Sequence, residues 1–251
     1  MKKDAIATCD RIVISMESLY KLSFDYCKAN PFDLIVVDEC QANLCSHTCK
    51  ETNGKNFNNN ADAFYSMLRF SEKVLFCDAF INAKTIEFLT HFQMPTLLLN
   101  YQRPMEKRKA TIIESESKDY DALLPYIADD LKADKRLYVC ITSAKRANEW
   151  TNALIKRFPE KNIKLYSRGE GKEIVDVRKE WSALDCVITT TTITVGINFD
   201  ISHFHKCYMS FSSKAKNNVV DLFQCHYRAR HLIDNEVVIH IKDEPEMVSY
   251  T

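Results

Sequence analysis

The chain has 251 residues, 46% hydrophobic and 27% charged, which suits a globular protein with chain enough for one large or two small α/β domains. Its 34 Lys+Arg balance 34 Asp+Glu, so a domain held on nucleic acid by bulk positive charge is excluded and only a local basic groove is open to it. Glycine occurs only four times, at 54, 169, 171 and 196, where average usage of roughly 7% would give about 18, and no G-x-x-x-x-G-K-[ST] or G-x-G-x-x-G phosphate loop is present.

Hydrophobic periodicity predicts short strands alternating with helices. Residues 11–15 read as a strand. Residues 16–29 read as a helix, with apolar side chains at 16, 19, 20, 22 and 24. Residues 32–37 form a nearly continuous apolar strand of the kind buried on both faces of a parallel sheet. The asparagine-rich stretch 53–60 reads as a surface loop and 61–70 as a helix. A buried strand at 73–77, a helix at 83–92 and a short strand at 95–99 follow. Residues 101–109 turn basic and polar and read as a linker. A second series then runs helix 120–134, strand 136–141, helix 143–158, strand 163–166, helix 172–181, strand 186–190, strand 205–211, helix 217–231 and strand 236–241. Such alternation predicts βαβ units, parallel sheets and two α/β lobes, residues 1–103 and 104–251.

Ten cysteines in a long chain do not form a disulfide framework. Met1-Lys2-Lys3 is followed by Asp4, Asp10 and Arg11, so no apolar signal core forms. Cys77, Cys140, Cys186 and Cys207 sit in apolar strand-like runs and read as small buried hydrophobes in a reducing, intracellular compartment. No run reaches the roughly 18 apolar residues of a membrane span.

Four segments carry chemistry. Asp38-Glu39 directly follows a buried strand, where the Asp can hold Mg²⁺ through water and the Glu can polarise an attacking water; acidic residues at a helix start are the plainer reading. Cys77-Asp78-Ala79 ends another strand, where a helix cap is the default. Thr189 to Asp200 is a hydroxyl-rich turn built around Gly196, suited to phosphate contact. Asp221 to Arg230 places Gln224 and Arg228 four apart, on one helix face, and Arg is suited to phosphate. Lesser features are Cys40, Cys45, His47 and Cys49, whose spacing is not a zinc-knuckle pattern; His203 and His205, which share a face of a strand-like segment; and the basic triplet Lys107-Arg108-Lys109, read as solvated linker.

In order along the chain, these segments resemble the motifs of superfamily 2 helicases. Leu34-Ile-Val-Val-Asp-Glu-Cys-Gln41 is similar to the DExx motif and Cys77-Asp78-Ala79 to motif III. Residues 138–146 resemble motif IV, Thr189 to Asp200 motif V, and Gln224-x-x-x-Arg228-x-Arg230 motif VI. The nearest resemblance is to the origin-of-replication-binding helicases of herpesviruses and other large DNA viruses. Its marks are Ser15-Met-Glu-Ser-Leu19 ahead of DExx, Trp181 shortly before motif V, Thr192-Ile-Thr-Val-Gly-Ile-Asn-Phe-Asp200, and Arg228-Ala-Arg230.

The resemblance implies an α/β fold of two RecA-like lobes with mainly parallel sheets, the first lobe N-terminally incomplete. It implies ATP-driven movement on DNA at replication origins, with ATP and Mg²⁺ as cofactors only when the missing phosphate loop is supplied, so that this chain alone is not expected to turn over ATP; DNA and other replication proteins would be partners, at a viral replication site in the host nucleus or cytoplasm. Asp38 would hold Mg²⁺ and Glu39 orient water. Asp78 would couple hydrolysis to movement. Gly196 and Asp200 would touch nucleotide, and Thr192 and Thr194 the DNA backbone. Gln224, Arg228 and Arg230 would reach the nucleotide, with Arg228 as the arginine finger. Ser143 and Lys145 would lie near nucleic-acid phosphates. Two features depart from the family: the phosphate loop is absent, and Tyr227 and His231 stand where Gly and Arg are usual. The expectation is therefore a fragment of a helicase, or of a gene cut at its 5′ end. The alternatives are an inactive nucleic-acid-binding or regulatory module and a metal-dependent nuclease using Asp38, Glu39 and Asp78.

Overall fold

The structure, a computed structural model, describes residues 9–47, 49–79, 81–91, 96–99, 107–115, 121–167, 176–190, 197–212 and 219–242. It divides into two compact units, Met1–Gln102 and Arg103–Thr251. Every strand pairing within their sheets is parallel.

In the first unit, residues 11–15 are irregular rather than a strand, and Val13 is fully exposed. The helix predicted over 16–29 is two elements, a 3₁₀ turn Met16–Lys21 and helix α1, Phe24–Ala29. The break falls at Ser23, whose extended backbone and Oγ, accepting from Tyr26 N at 3.2 Å, start the second element afresh. Strands β1 (Leu34–Val37) and β2 (Lys73–Phe76) pair with Leu34 opposite Lys73 and Val37 opposite Phe76. Helices α2 (Cys40–His47), α3 (Lys50–Asn53), α4 (Phe57–Phe70) and α5 (Ala83–His91) complete the unit's described elements.

Its core joins Leu19, Leu22 and Cys27 to Ile35 and Val37 of β1 and to Ala63, Phe64 and Leu68 of α4. Strand β1 is buried on one face only: Leu34 and Val36 are each 55% exposed, and Leu75 of β2 is exposed as well. A continuous apolar run therefore does not mean two buried faces here. Residues 96–99 are irregular and exposed rather than a strand.

The asparagine-rich stretch is not a surface loop. It forms a 3₁₀ turn, Gly54–Asn56, and the start of α4. Asn60 is only 1% exposed. Its Oδ1 accepts from Tyr20 N (2.6 Å), and its Nδ2 donates to Glu17 O (3.3 Å) and Asn53 Oδ1 (2.8 Å). Asn53 Nδ2 in turn donates to Ser46 O (2.8 Å) and Cys49 O (2.9 Å). Two buried amides thus satisfy backbone groups of three separate segments.

The second unit is a six-stranded sheet in the order β3-β8-β7-β4-β6-β5. Its strands are β3 (Lys109–Ser115), β4 (Leu137–Ile141), β5 (Ile163–Tyr166), β6 (Cys186–Thr190), β7 (Lys206–Ser212) and β8 (Glu236–Lys242). Helices α6 (Leu124–Lys132) and α7 (Ala144–Arg157) share a core with Leu137, Val139 and Ile141 of β4. Tyr138 and Cys140 point the other way, into a core with Trp181 of α8 (Val177–Ser182) and Cys225 of α9 (Val219–His226). Alternate side chains of one strand therefore serve two helical layers.

Strand β3 is unexpected from sequence: it is an edge strand, mostly exposed, and its charged flanks hide it. Helix α9 ends at His226, five residues earlier than predicted, so Gln224 and Arg228 do not share a helix face. Residues 168–175, which hold the predicted start of the helix before β6, lie outside the described residues. Of the cysteines placed in strands, Cys140, Cys186 and Cys207 are buried, whereas Cys77 is half-buried; none of the ten forms a disulfide. His203 and His205 lie ahead of β7 and anchor different backbone. His203 Nε2 is 2.8 Å from Leu184 O, and His205 Nδ1 accepts from Arg136 N at 2.9 Å. Among the described residues no helix is long and apolar enough to cross a membrane.

Replacing Asn60 strands the Tyr20 amide in a buried site, which costs about 1–3 kcal/mol. Asn60→Ala should lower the urea midpoint seen by far-UV circular dichroism. Both tryptophans, Trp150 and Trp181, belong to the second unit, so the fluorescence-detected transition should stay in place. An unchanged dichroism midpoint would refute the buried-amide role.

Candidate functional sites

In the first unit, β1 runs straight into Asp38-Glu39 and then α2. The ladder continues past the strands: Cys77 N donates to Val37 O and Cys40 N to Cys77 O, both at 2.9 Å. Glu39 takes a left-handed backbone, φ 46°, which costs a residue with a Cβ of order 1 kcal/mol or more. Local bonds hold it there. Glu39 N donates to Asp38 Oδ1 (3.0 Å), and Asn43 Nδ2 donates to Asp38 O (2.6 Å). From the end of β2, Asp78 Oδ2 accepts from Gln41 N (3.0 Å), in the first turn of α2. Asn82 Nδ2 then donates to Gln41 Oε1 at 2.5 Å. Sequence alone pointed to Asp78 as a cap; the structure places that cap on the helix after Asp38-Glu39. Asn43 and Asn82 carry no motif signal.

Asp38 is exposed. A hard carboxylate at the end of a parallel strand fits Mg²⁺, which keeps several waters and takes one or two carboxylates plus phosphate oxygens. Among the described residues no three His, Cys, Asp or Glu side chains converge on a metal position. Cys40 is fully buried, its thiol pushed up to about 11 by burial and by nearby Asp78. His47 packs on Phe64 and Tyr65, ring centroids 4.9 and 5.5 Å away, and burial lowers its pKa. These two are core residues, while Cys45 is exposed.

In the second unit, residues 227–230 turn back from α9 and join the end of residues 197–200. Phe199 N donates to Arg228 O (2.8 Å), Arg230 N donates to Phe199 O (2.9 Å), and Phe199 and Ala229 form a parallel bridge. Phe199 is fully buried against Trp181, ring centroids 5.5 Å apart. The two motif-like segments are thus one structure. Arg228 Nη1 donates to Ile197 O (3.2 Å). Asp200 pairs with Arg178 at 2.6 Å, and this partner holds its carboxyl below the usual range. Arg230 is exposed, and Gln224 is half-buried on α9. Gly196, Thr192 and Thr194 lie outside the described residues. Ser143 caps α7, its Oγ accepting from Arg146 N at 3.3 Å, and Lys145 is exposed.

Arg108, read from sequence as solvated linker, is the residue that fastens this segment. Its guanidinium donates to three carbonyls, His226 O (3.0 Å), Ala229 O (2.7 Å) and Arg230 O (2.8 Å). It also lies 4.9 Å from the centre of the Tyr227 ring. His226 is buried, its pKa lowered to about 4 by burial and then by Arg108, so it stays neutral beside that cation. No motif marks Arg108; only its position in a basic run hinted at it.

A family model described as "Origin of replication binding protein" matches residues 3–114 and 96–247. The replication origin-binding protein of human herpesvirus 6A is 22% identical over 240 residues, covering 92% of this chain and 29% of that protein. An African swine fever virus protein named for a helicase/primase complex is 24% identical over 209 residues, covering 81% of this chain and 18% of its own length. The chain thus spans under a third of these relatives. In fold it is similar to the Mycobacterium smegmatis helicase Lhr bound to single-stranded DNA and AMP-PNP, with TM-score 0.61 and 14% identity over 90% of this chain and 31% of that one. It is also similar to Saccharomyces cerevisiae Dbp5 bound to RNA and ADP BeF3, with TM-score 0.55 and 14% identity over 85% of this chain and 54% of that one. The α/β architecture is that of RecA-like helicase lobes.

Two outcomes test the geometry. Glu39→Gly should stabilise the first unit by about 1 kcal/mol, because glycine adopts φ 46° without the Cβ cost; a lower urea midpoint would sink the strain assignment. Arg108→Ala should make the Arg228 and Arg230 amides exchange hydrogen at least about tenfold faster while Val139 in β4 is unchanged, since a bond to a charged donor contributes about 1.5–3 kcal/mol. Arg108→Lys, which cannot fork to three carbonyls, should fall between.

Proposed function

This chain belongs to the origin of replication binding protein family, and we propose that it is the motor-core portion of an ATP-dependent DNA helicase acting at replication origins. The observation that carries the reading is the Asp38-Glu39 elbow at the carboxyl end of β1, tied through Gln41 to Asp78 at the end of the neighbouring strand. An acidic pair so placed is what phosphoryl transfer to water requires. Asp38 would hold Mg²⁺ through water, and the ion when bound neutralises charge on nucleotide phosphates. Glu39 would orient the attacking water. Movement of Asp78 would be felt at the first turn of α2, which makes it a coupling residue. Gln224, Arg228 and Arg230 would meet the nucleotide, with Arg228 as the finger; its present bond to Ile197 O would then have to be exchanged for phosphate. Asp200 and Gly196 would flank the same nucleotide, and Thr192, Thr194, Ser143 and Lys145 would follow the DNA backbone. Residues 1–103 and 104–251 would be the two lobes, working inside cells with other replication proteins.

A second reading, a nucleic-acid-binding or regulatory module without turnover, is favoured by one observation: no G-x-x-x-x-G-K-[ST] occurs in the 251 residues. A nuclease reading has no comparable support, since it needs carboxylates gathered on two metals and the described residues gather none.

The test is fluorescence anisotropy of the purified chain with a single-stranded oligonucleotide, together with Mg²⁺-dependent ATP turnover. Affinity should fall at least tenfold between about 50 and 200 mM salt, and absence of binding would refute both readings. With the missing phosphate-loop segment supplied, turnover lost about a hundredfold or more in Glu39→Gln selects the motor; no turnover under the same conditions with intact binding selects the module.

A further inference from the structure

A chain of hydrogen bonds runs through the core of the second unit and ends at Arg228. Near the carboxyl end of β6, Thr189 Oγ1 donates to the Tyr138 hydroxyl at 3.1 Å, and that hydroxyl donates to Cys225 O, also at 3.1 Å. Cys225 O accepts a second bond, from Arg228 N at 3.1 Å. Thr189, Tyr138 and Cys225 are each only 1% exposed, so bulk water does not compete for these bonds. At its other end, Arg228 Nη1 donates to Ile197 O at 3.2 Å. Arg228 is thus tied twice to the stretch that begins at Thr189: by its backbone through Tyr138, and by its side chain directly.

The chain has two arrangements. Thr189 Oγ1 is 3.1 Å from the Tyr138 hydroxyl and 3.4 Å from Val139 O, and a hydroxyl has one proton to give. While Thr189 donates to Tyr138, the phenol proton points at Cys225 O. With Thr189 turned to Val139 O, its oxygen becomes an acceptor for the phenol, and Cys225 O loses a donor. Burial pushes the Tyr138 phenol up, so it stays protonated and able to donate. Its ring packs on Trp181 and Phe204, centroids 5.5 and 6.0 Å away, so the exchange needs a proton to turn and no ring to move. A phenylalanine would fill the same space; the hydroxyl serves the bond chain alone. Arg108 takes the next carbonyl, His226 O, so the end of α9 is held from two sources.

We propose that Tyr138 is a positioning residue for Arg228 and that Thr189 acts through it. The two hydroxyls set the carbonyl on which the Arg228 amide hangs, so a change at the end of β6 is felt at the arginine. The motif-like segments 138–146 and 189–200 contain both residues, but the pattern gives neither of them a role. That Arg228 meets a nucleotide, and that the stretch after Thr189 meets DNA, rests on the function proposed above; the link from Thr189 to Arg228 does not.

The test is amide hydrogen exchange of the full chain, read at Arg228 against a reference amide, Ile127 in α6, which donates to Leu123 O at 3.0 Å. Tyr138→Phe keeps the ring and removes the hydroxyl; Arg228 should then exchange about fivefold faster, the worth of one neutral hydrogen bond, with Ile127 unchanged. Thr189→Val has nearly the same shape, should act in the same direction, and serves in both arms if the first variant fails to fold. The double variant should add nothing to Tyr138→Phe, because Thr189 acts through the phenol. Thr189→Ser keeps a hydroxyl and should restore the wild-type rate. Equal acceleration at Ile127, or two effects that add, would make Tyr138 an ordinary core contact and overturn the proposal. The second arm adds a single-stranded oligothymidylate, its binding followed by anisotropy. Bound oligonucleotide should slow Arg228 exchange in the wild type and not in Tyr138→Phe, whose affinity should be unchanged. No slowing in the wild type, or equal slowing in both, overturns the proposal. A wild type that binds no oligonucleotide removes the nucleic-acid reading, and the link then stands or falls on the first arm.

Discussion

A parallel strand imposes two demands: both faces need cover, and every group it offers to a ligand leaves from its carboxyl end. Strand β4 of the second unit meets the first demand in full. Leu137, Val139 and Ile141 face one helical layer while Tyr138 and Cys140 face the other. The Tyr138 hydroxyl in that interior is satisfied: it donates to Cys225 O at 3.1 Å and accepts from Thr189 Oγ1 at 3.1 Å, joining β4, β6 and α9. The second demand orders the chemistry of each unit. Asp38 and Asp78 leave from the ends of adjacent strands in the first unit. Ser143 follows the end of β4 and caps the next helix in the second. None needs a special loop to bring it there.

Several turns and ends among the described residues are closed by side chains reaching for backbone. Arg108 gathers three carbonyls at the end of α9. Asp78 takes an amide of α2, Asn43 takes the carbonyl of Asp38, and Asn60 takes backbone from a segment forty residues away. Each bond satisfies a polar group that would otherwise be costly to bury. Such closures tie distant segments together, so the segment holding Arg228 and Arg230 is set by a residue more than a hundred positions earlier. A glycine turn would act only locally.

The same contrast explains what could be read in advance. Strands such as Ile163–Tyr166 and Cys186–Thr190 were legible to the residue, because their burial forces a short apolar run between polar ends. Strand Lys109–Ser115 was not, because an edge strand with exposed positions has no such pattern. The position of Asp38-Glu39 at the end of a strand was legible from the apolar run before it. Asn60 and Arg108 were misread as loop and linker, since their roles depend on partners far away in sequence. The end of α9 was misplaced for a related reason. Residues 227–231 still suit a helix, but the bridge between Phe199 and Ala229 captures them.

Among the described residues, the three non-glycine residues with positive φ show where strain has been kept. Asp134 lies just past the end of α6, and Asn235 lies in the turn before β8. Both are short polar residues, at the kind of position where the left-handed conformation is commonplace. Glu39 fits neither description: its side chain is longer, and it stands between a strand and a helix. A chain with only four glycines could have spent one here and relieved a cost of order 1 kcal/mol. Instead, the Asp38 carboxylate and the Asn43 amide hold the elbow, and Asp78 fastens the helix that follows. Strain that neighbouring residues are arranged to maintain points to the side chain it displays. On that argument the backbone at Glu39 supports the role proposed for its carboxylate.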